Sequence, residues 1–253
     1  MCKRELAVGE EALWDRTTRT VTCLVCAVDD VVVDEGKAGA SALREYERRR
    51  QRREQRAREK LGGPGVLLTR LIAEPQSTRS WRQGGRGEVR VGARLAKYLH
   101  GDDVRLLHDR SVPRHGRANI DHLAVGPGGV TVIDAKTHHG KIRVERVGGL
   151  FSPRRSVLRI AGRDQTRLID GVERQIELVR AALASFGEDS IDVRGALCFP
   201  AADGLPLLQQ LSVRGIVIDG PKAVAKLARR QGQLGPDAVE RIWRRLADSF
   251  PPA

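Results

Sequence analysis

The strongest constraint on the fold is a short hairpin. Asn119-Ile120-Asp121-His122-Leu123-Ala124-Val125 runs into Gly126-Pro127-Gly128-Gly129, and Val130-Thr131-Val132-Ile133-Asp134-Ala135-Lys136 follows. Two β-rich runs around a Gly/Pro turn predict an antiparallel pair. With Pro127 and Gly128 at the centre of the loop, Gly126 faces Gly129 and the register sets Asp121 against Asp134. Opposed residues share a face, with β-carbons about 4.5–5.5 Å apart. Lys136 lies two residues beyond Asp134 and projects from that same face. Like charges set opposite one another destabilise a sheet, so two carboxylates in otherwise apolar strands call for a cation. Lys136 is one, and a divalent metal would add more.

The chain has 253 residues, of which 40% are hydrophobic, enough for one large domain with appendages. Its formal net charge is +13. Such a balance points to a polyanionic partner, with nucleic acid first and an anionic membrane surface second. Aromatic residues make up only 4%, which argues against a platform that stacks successive single-stranded bases. The charged start, Met1-Cys2-Lys3-Arg4-Glu5, has no apolar run after it, so no secretory signal is expected. The apolar runs are too short to span a bilayer. Four cysteines do not make a disulfide framework in a chain of this size, and a reduced, cytoplasmic protein is expected.

The chain divides into three stretches. Residues 1–35 are a small cysteine-bearing segment with fragments of short strands. Residues 36–79 form a basic arm and linker. Within them, 41–60 are almost entirely Arg, Glu, Lys, Ala and Gln, good helix formers without an apolar stripe, and Gly62-Gly63-Pro64-Gly65 breaks the run. Either a solvated helix or a partly disordered arm fits that composition. The main domain is expected over 80–253. Val89, Val91, Leu95, Ala96 and Leu99 give a helix that stops at Gly101. Strands are predicted from Val104 to His108, through the hairpin, and from Lys141 to Val147, with another hairpin over 150–162. Leu168, Ile169, Val172, Ile176, Val179 and Leu183 recur at helical spacing between about Gln165 and Phe186. Strands over Val193–Phe199 and Val213–Ile218 precede helices from Pro221 to about Gln231 and from Pro236 to about Phe250. The order predicts an α/β domain, a mixed central sheet flanked by helices.

Taken together, Gly-Arg-Gly-Glu88 on a helix, Ile120-Asp121-His122 on a strand, the Gly-Pro-Gly-Gly turn, and Ile133-Asp134-Ala135-Lys136 with Gly140 shortly after resemble the nuclease-related domain (NERD). That domain is part of the PD-(D/E)XK superfamily, shared with restriction endonucleases and archaeal Holliday-junction resolvases. The likeness covers a core of about residues 84–186.

The resemblance implies a restriction-endonuclease-like fold and a metal-dependent nuclease. It makes Asp121 and Asp134 the metal-binding acids, with the backbone carbonyl of Ala135 beside them, and Lys136 the residue that positions the attacking water. Glu88 would complete or orient the site. Gln175 falls on the helix where relatives often carry a polar residue. Two departures from the family pattern stand out: Ile120 precedes Asp121 where proline is usual, and Asp134 replaces a glutamate, shortening the reach to a metal by one methylene.

The chemistry of the residues agrees with this. Two carboxylates with open positions suit Mg²⁺ or Mn²⁺, which prefer oxygen ligands, acidify a bound water and clamp a phosphate. His122 alternates to the opposite face from Asp121 and is expected to be packed. His138 and His139, just past Lys136, lie within reach of phosphate, although a plain loop role fits them better. The expected substrate is DNA. A nucleic-acid-binding module that keeps the fold without cutting, and a protein-interaction factor, are the alternatives.

Cys23-Leu24-Val25-Cys26, with Cys2 before it across twenty intervening residues, resembles a zinc ribbon short of one ligand. A closed structural Zn²⁺ site needs four ligands, so either a cysteine encoded upstream or another chain would have to complete it. Ordinary reduced cysteines fit these positions equally well. Cys198, in an apolar strand, is expected to be core.

Overall fold

A computed structural model describes residues 12–16, 19–23, 32–71, 74–113, 116, 118–138, 140–149, 152–201, 204–206 and 210–253. The chain forms two units, Met1–Asp34 and Glu35–Ala253. In the first, β1 (Ala12–Asp15) pairs antiparallel with β2 (Thr20–Cys23).

The second unit is built on a mixed sheet of six strands: β3 (Arg105–Ser111), β4 (Asn119–Gly126), β5 (Gly129–Ala135), β9 (Val193–Cys198), β10 (Leu211–Val213) and β11 (Ile216–Asp219). Their spatial order is β10-β11-β9-β5-β4-β3. The pairs β3–β4, β4–β5 and β10–β11 are antiparallel, whereas β5–β9 and β9–β11 are parallel. β5 is buried along its whole length and reads as an unbroken apolar run up to Asp134, as a central strand covered on both faces should. In the hairpin Gly126 opposes Gly129, and the ladder runs to His122 opposite Ile133.

Helices α1 (Ala40–Leu71), α2 (Gln76–Tyr98), α3 (Arg167–Ser185), α4 (Pro221–Ala228) and α5 (Pro236–Ser249) surround the sheet. Val91, Leu95 and Leu99 of the α2 region and Val224, Ala225 and Ala228 of α4 form one core with Ala124, Ile133, Ala135, Ala196 and Cys198. Cys198 is buried there, and burial raises its thiol pKa, as expected of a packing residue. The opposite face packs on α3, where Val172 and Ile176 sit over Gly195. α5 lies against β3, β4 and α3, and its Trp243 Nε1 donates to the carbonyl of Leu106 at 3.0 Å.

The structure differs from the sequence reading in four places. Helix α2 starts at Gln76, well before the expected start, and runs through Gly84, Gly85 and Gly87. A Cβ on Gly85 would meet Leu43 of α1 at 2.9 Å, so close helix packing compensates for the propensity lost there. The basic segment is an ordered helix that docks on α2 with Ala42 and Tyr46 buried, and it breaks at Gly62 (φ 67°, ψ −153°), as the glycine run predicts, before a second helical stretch to Leu71. Ala42, Leu43 and Tyr46 meet α2 within little more than one helical turn, too short a run to announce an apolar stripe. The expected strand at 213–218 is two strands joined by a turn at Arg214-Gly215, where both residues have positive φ. Finally, β7 (Ser152–Ile160) folds back along β6 (Ile142–Gly149), and β8 (Arg163–Asp164) adds a third short strand to that separate sheet. No helix among the described residues is long and apolar enough to cross a membrane.

Candidate active site

The candidate residues collect where β4 begins and β5 ends. Side chains alternate along β5. Ile133 and Ala135 enter the core under α2 and α4, so Asp134 projects toward α3. On β4, His122 faces α2, and Asp121 projects to the same side as Asp134. Asp121 and Asp134 are 6% and 7% exposed. The strand pairing stops at His122–Ile133, one step short of the acids. Beyond it, Asp121 Oδ2 accepts a 2.8 Å hydrogen bond from the backbone N–H of Ala135.

Lys136 is seated by the neighbouring parallel strand, its N–H donating to the carbonyl of Cys198 at 2.9 Å. Its Nζ lies 2.6 Å from Asp134 Oδ2 and 3.5 Å from the carbonyl oxygen of Ala135. Gln175, on α3, donates through Nε2 to Asp134 Oδ1 and to the carbonyl of Asn119, each at 3.5 Å.

Glu88 comes from the other face on α2. The turn of helix that carries it is pressed against the segment after Lys136: a Cβ on Gly87 would lie 2.0 Å from Thr137 Oγ1, and that hydroxyl donates to the carbonyl of Gln83 at 3.4 Å. Gly87 therefore permits the close approach. Glu88 Oε2 is buried with no hydrogen-bond partner.

Electrostatics tie the set together. Burial, then repulsion from Asp109 and Asp134, pushes the Glu88 carboxyl up to about 7. Burial, then Asp134 and Glu88, raises Asp121 well above the usual carboxylate range against the pull of Lys136 and the Ala135 N–H. Burial works against the charge of Lys136, but Asp134, Asp121 and Glu88 outweigh it and raise its pKa. Lys136 is thus a fixed cation facing an excess of acid. A buried orphan oxygen and raised carboxyl pKa values describe a site short of positive charge. Its donors are all oxygens, the set that Mg²⁺ and Mn²⁺ prefer. Among the described residues, no three His, Cys, Asp or Glu side chains converge as a closed metal-binding group, so any such ion would keep several waters.

Asp109 is a residue the sequence reading missed. It lies between the ladder pairs His108–His122 and Arg110–Ile120, where the β3–β4 pairing is interrupted, is 1% exposed, and takes positive φ (48°). Its carboxylate accepts from Ser41 N (2.5 Å), Ser41 Oγ (2.6 Å) and Asn119 Nδ2 (2.9 Å). Those bonds commit it to the N-terminus of α1. Locally, His108-Asp109-Arg110 reads only as a polar strand end.

His122 is fully buried with its Nδ1 2.8 Å from Nδ1 of His108. Burial lowers the pKa of both rings, so this is a neutral packed pair facing away from the acids. His138 is half-buried with its ring against Phe199, and His139 lies outside the described residues. Cys2 and Cys26 also lie outside them, and Cys23 is described only as the end of β2.

Compared with known families, residues 83–200 match the family model of the nuclease-related domain. No curated protein and no solved structure matches the chain.

Proposed function

We propose that this chain, whose residues 83–200 form a nuclease-related domain, is a metal-dependent nuclease that hydrolyses phosphodiester bonds within DNA. The observation that carries the reading is the junction of Asp121, Asp134, the Ala135 carbonyl and Lys136 at the hairpin's open end, with Glu88 closing it from α2. Asp121, Asp134 and the Ala135 carbonyl would hold a Mg²⁺ or Mn²⁺ ion, with Glu88 directly or through water. When bound, the ion supplies an acidified water and charge neutralisation at the phosphoryl group.

The protein's own groups do the rest. In the metal-free chain the surrounding acids raise the pKa of Lys136, and as an ammonium it would orient the attacking water and offset negative charge on the phosphate. Asp134 holds that ammonium at 2.6 Å. Gln175 fixes the second oxygen of Asp134. The formal charge of +13 favours encounter with a polyanion, and the arginines of α1 add sequence-independent phosphate affinity.

One observation favours a second reading, a module that binds nucleic acid without cutting: the acids of the described residues do not form a closed metal-binding group. Supercoiled plasmid incubated with Mg²⁺ or Mn²⁺ separates the two. Cleavage that EDTA stops and that Lys136→Ala reduces by at least about a hundredfold supports hydrolysis. Equal nicking by both proteins rejects it. Zinc at Cys2, Cys23 and Cys26 is a separate proposal, tested by metal quantification on the purified protein.

A further inference from the structure

We infer that the β6–β7 ribbon is a clamp for the phosphate backbone of duplex DNA, gripping the strand beside the catalytic junction. The inference rests on the nuclease reading for its substrate and on different residues for its support.

Residues 141–164 carry seven cations (Lys141, Arg143, Arg146, Arg154, Arg155, Arg159, Arg163) against Glu145 and Asp164. Arg143, Arg146, Arg154, Arg155 and Arg163 are exposed. Several surface arginines elsewhere are engaged with acids, Arg48 and Arg49 with Glu45, Arg50 with Glu54, Arg105 with Glu240, and Arg214 with Asp170 and Glu173, whereas others, such as Arg86 and Arg90, are exposed without such a partner among the described residues. On the ribbon, Arg159 pairs with Glu145 at 2.8 Å, and Arg155 helps lower the pKa of Asp164. Among the described residues, Arg143, Arg146, Arg154 and Arg163 form no ion pair.

The register sharpens this. Arg143 stands directly opposite Arg159. Like charges in that position destabilise a strand pair, and a polyanion lying across them reverses the sign.

The ribbon is rooted at the site. Lys141 lies five positions after Lys136, a chain length of at most about 17 Å. That span is about five nucleotides along one strand, at roughly 3.4 Å per step. The root is fixed: Gly140 (φ 100°) packs against Ala161, Ile142 N–H donates to the carbonyl of Gly204 at 2.7 Å, and Ala161 N–H donates to the carbonyl of Lys141 at 3.0 Å. Ile142, Leu158 and Ile160 are buried beneath it. An open hollow of about 820 Å³ runs along the ribbon, with Lys141, Arg143 and Arg146 in its lining and Gln210 and Ser212 across from them. β6 has no aromatic residue, nor does the stretch 154–160 of β7, so these described residues offer single-stranded bases no aromatic side chain to stack on. A rigid two-stranded ribbon has the width to follow a duplex groove.

The test is fluorescence anisotropy with the full chain in EDTA, where no cleavage occurs, using a labelled duplex of about 20 base pairs and its single strand, across a salt series. The variant Arg143→Ser/Arg146→Ser/Arg154→Ser/Arg163→Ser should bind the duplex at least about tenfold more weakly at 0.1 M salt. Its slope of log K against log salt should be shallower by about three to four. The two double variants, Arg143→Ser/Arg146→Ser and Arg154→Ser/Arg163→Ser, should each lose about half of that slope, and four Arg→Lys changes should keep it.

Unchanged affinity and slope overturn the inference, as does absence of duplex binding by the wild type. An equal loss on the single strand overturns the duplex assignment. Binding in EDTA is read apart from cleavage. Ribbon-dependent binding without cleavage by the wild type would therefore reject the nuclease reading and leave the clamp, whereas cleavage with ribbon-independent binding would do the reverse.

Discussion

Asp121 Oδ2 accepts a 2.8 Å hydrogen bond from the backbone N–H of Ala135, the residue after the one its strand register would set against it. The ladder ends just before this point, and a side chain takes over where backbone pairing stops. That bond orients one acid and holds the Asp134–Ala135 peptide that leads into Lys136.

Asp121→Asn tests whether the charge or the hydrogen bond matters. The amide oxygen can still accept from Ala135, and burial already raises the Asp121 pKa well above the usual range. Thermal stability at pH 7 without metal should therefore be no lower than wild type, within about 0.5 kcal/mol. Cleavage should fall at least about a hundredfold. A destabilised Asn variant, or an active one, would contradict this assignment.

Metal binding should strengthen with pH. Glu88 titrates at about 7 in the folded chain and near 4.3 when unfolded. Between those values the folded form holds the extra proton, so the contribution of Glu88 to metal-free stability is greatest below about 4.3 and declines as pH rises through about 7. A divalent ion binds the deprotonated form and reverses the trend. The rise in Tm caused by Mn²⁺ should be larger at pH 8 than at pH 5.5, and Glu88→Gln should flatten the difference. Differential scanning fluorimetry reads both.

Gly87→Ala should harm the site more than the fold. An added Cβ lies 2.0 Å from Thr137 Oγ1, so the segment after Lys136 must shift, at a cost of about 1–3 kcal/mol. Gly84→Ala has open space and should stabilise α2 by about 0.5–1 kcal/mol. Removing the hydroxyl with Thr137→Ala should restore much of the activity lost in Gly87→Ala. Denaturant melts and cleavage rates on the single and double variants check this.

Asp109→Ala should loosen the basic helix. It deletes an acceptor of three hydrogen bonds at the N-terminus of α1, two of them from Ser41, where a negative charge also opposes the helix dipole. A loss of about 1–3 kcal/mol is expected, with earlier proteolysis within 40–71. Asp109→Asn should recover part of it. Limited proteolysis with mass mapping follows the helix directly.

What the sequence made legible was local. A Gly/Pro turn and alternating strands set the hairpin register, and a 3.6-residue apolar period placed α3 within two residues of its observed start. That Asp134 and Lys136 share a face follows from strand geometry, but their 2.6 Å contact also depends on Cys198, whose carbonyl seats Lys136. Glu88 is different. Its approach depends on how α2 crosses the end of β5, which Gly87 and Thr137 decide through close packing, and a single sequence carries no such distance. Asp109 was invisible for a related reason. Its partners Ser41 and Asn119 are far apart in the chain, and positive φ at an aspartate leaves no local signature. The docking of α1 escaped because Gly85, Leu43 and Ala42 make the contact, not a stripe of large apolar side chains.

Strand β9 lies at the middle of the sheet, but residues 136–192 separate it from β5. During translation the ribosome therefore releases the acids of the hairpin well before the strand whose Cys198 carbonyl seats Lys136. A nascent or prematurely terminated chain ending before β9 carries every charge of the junction without the neighbour that aligns its lysine. Maturation of the centre is thereby tied to synthesis of the chain's last quarter.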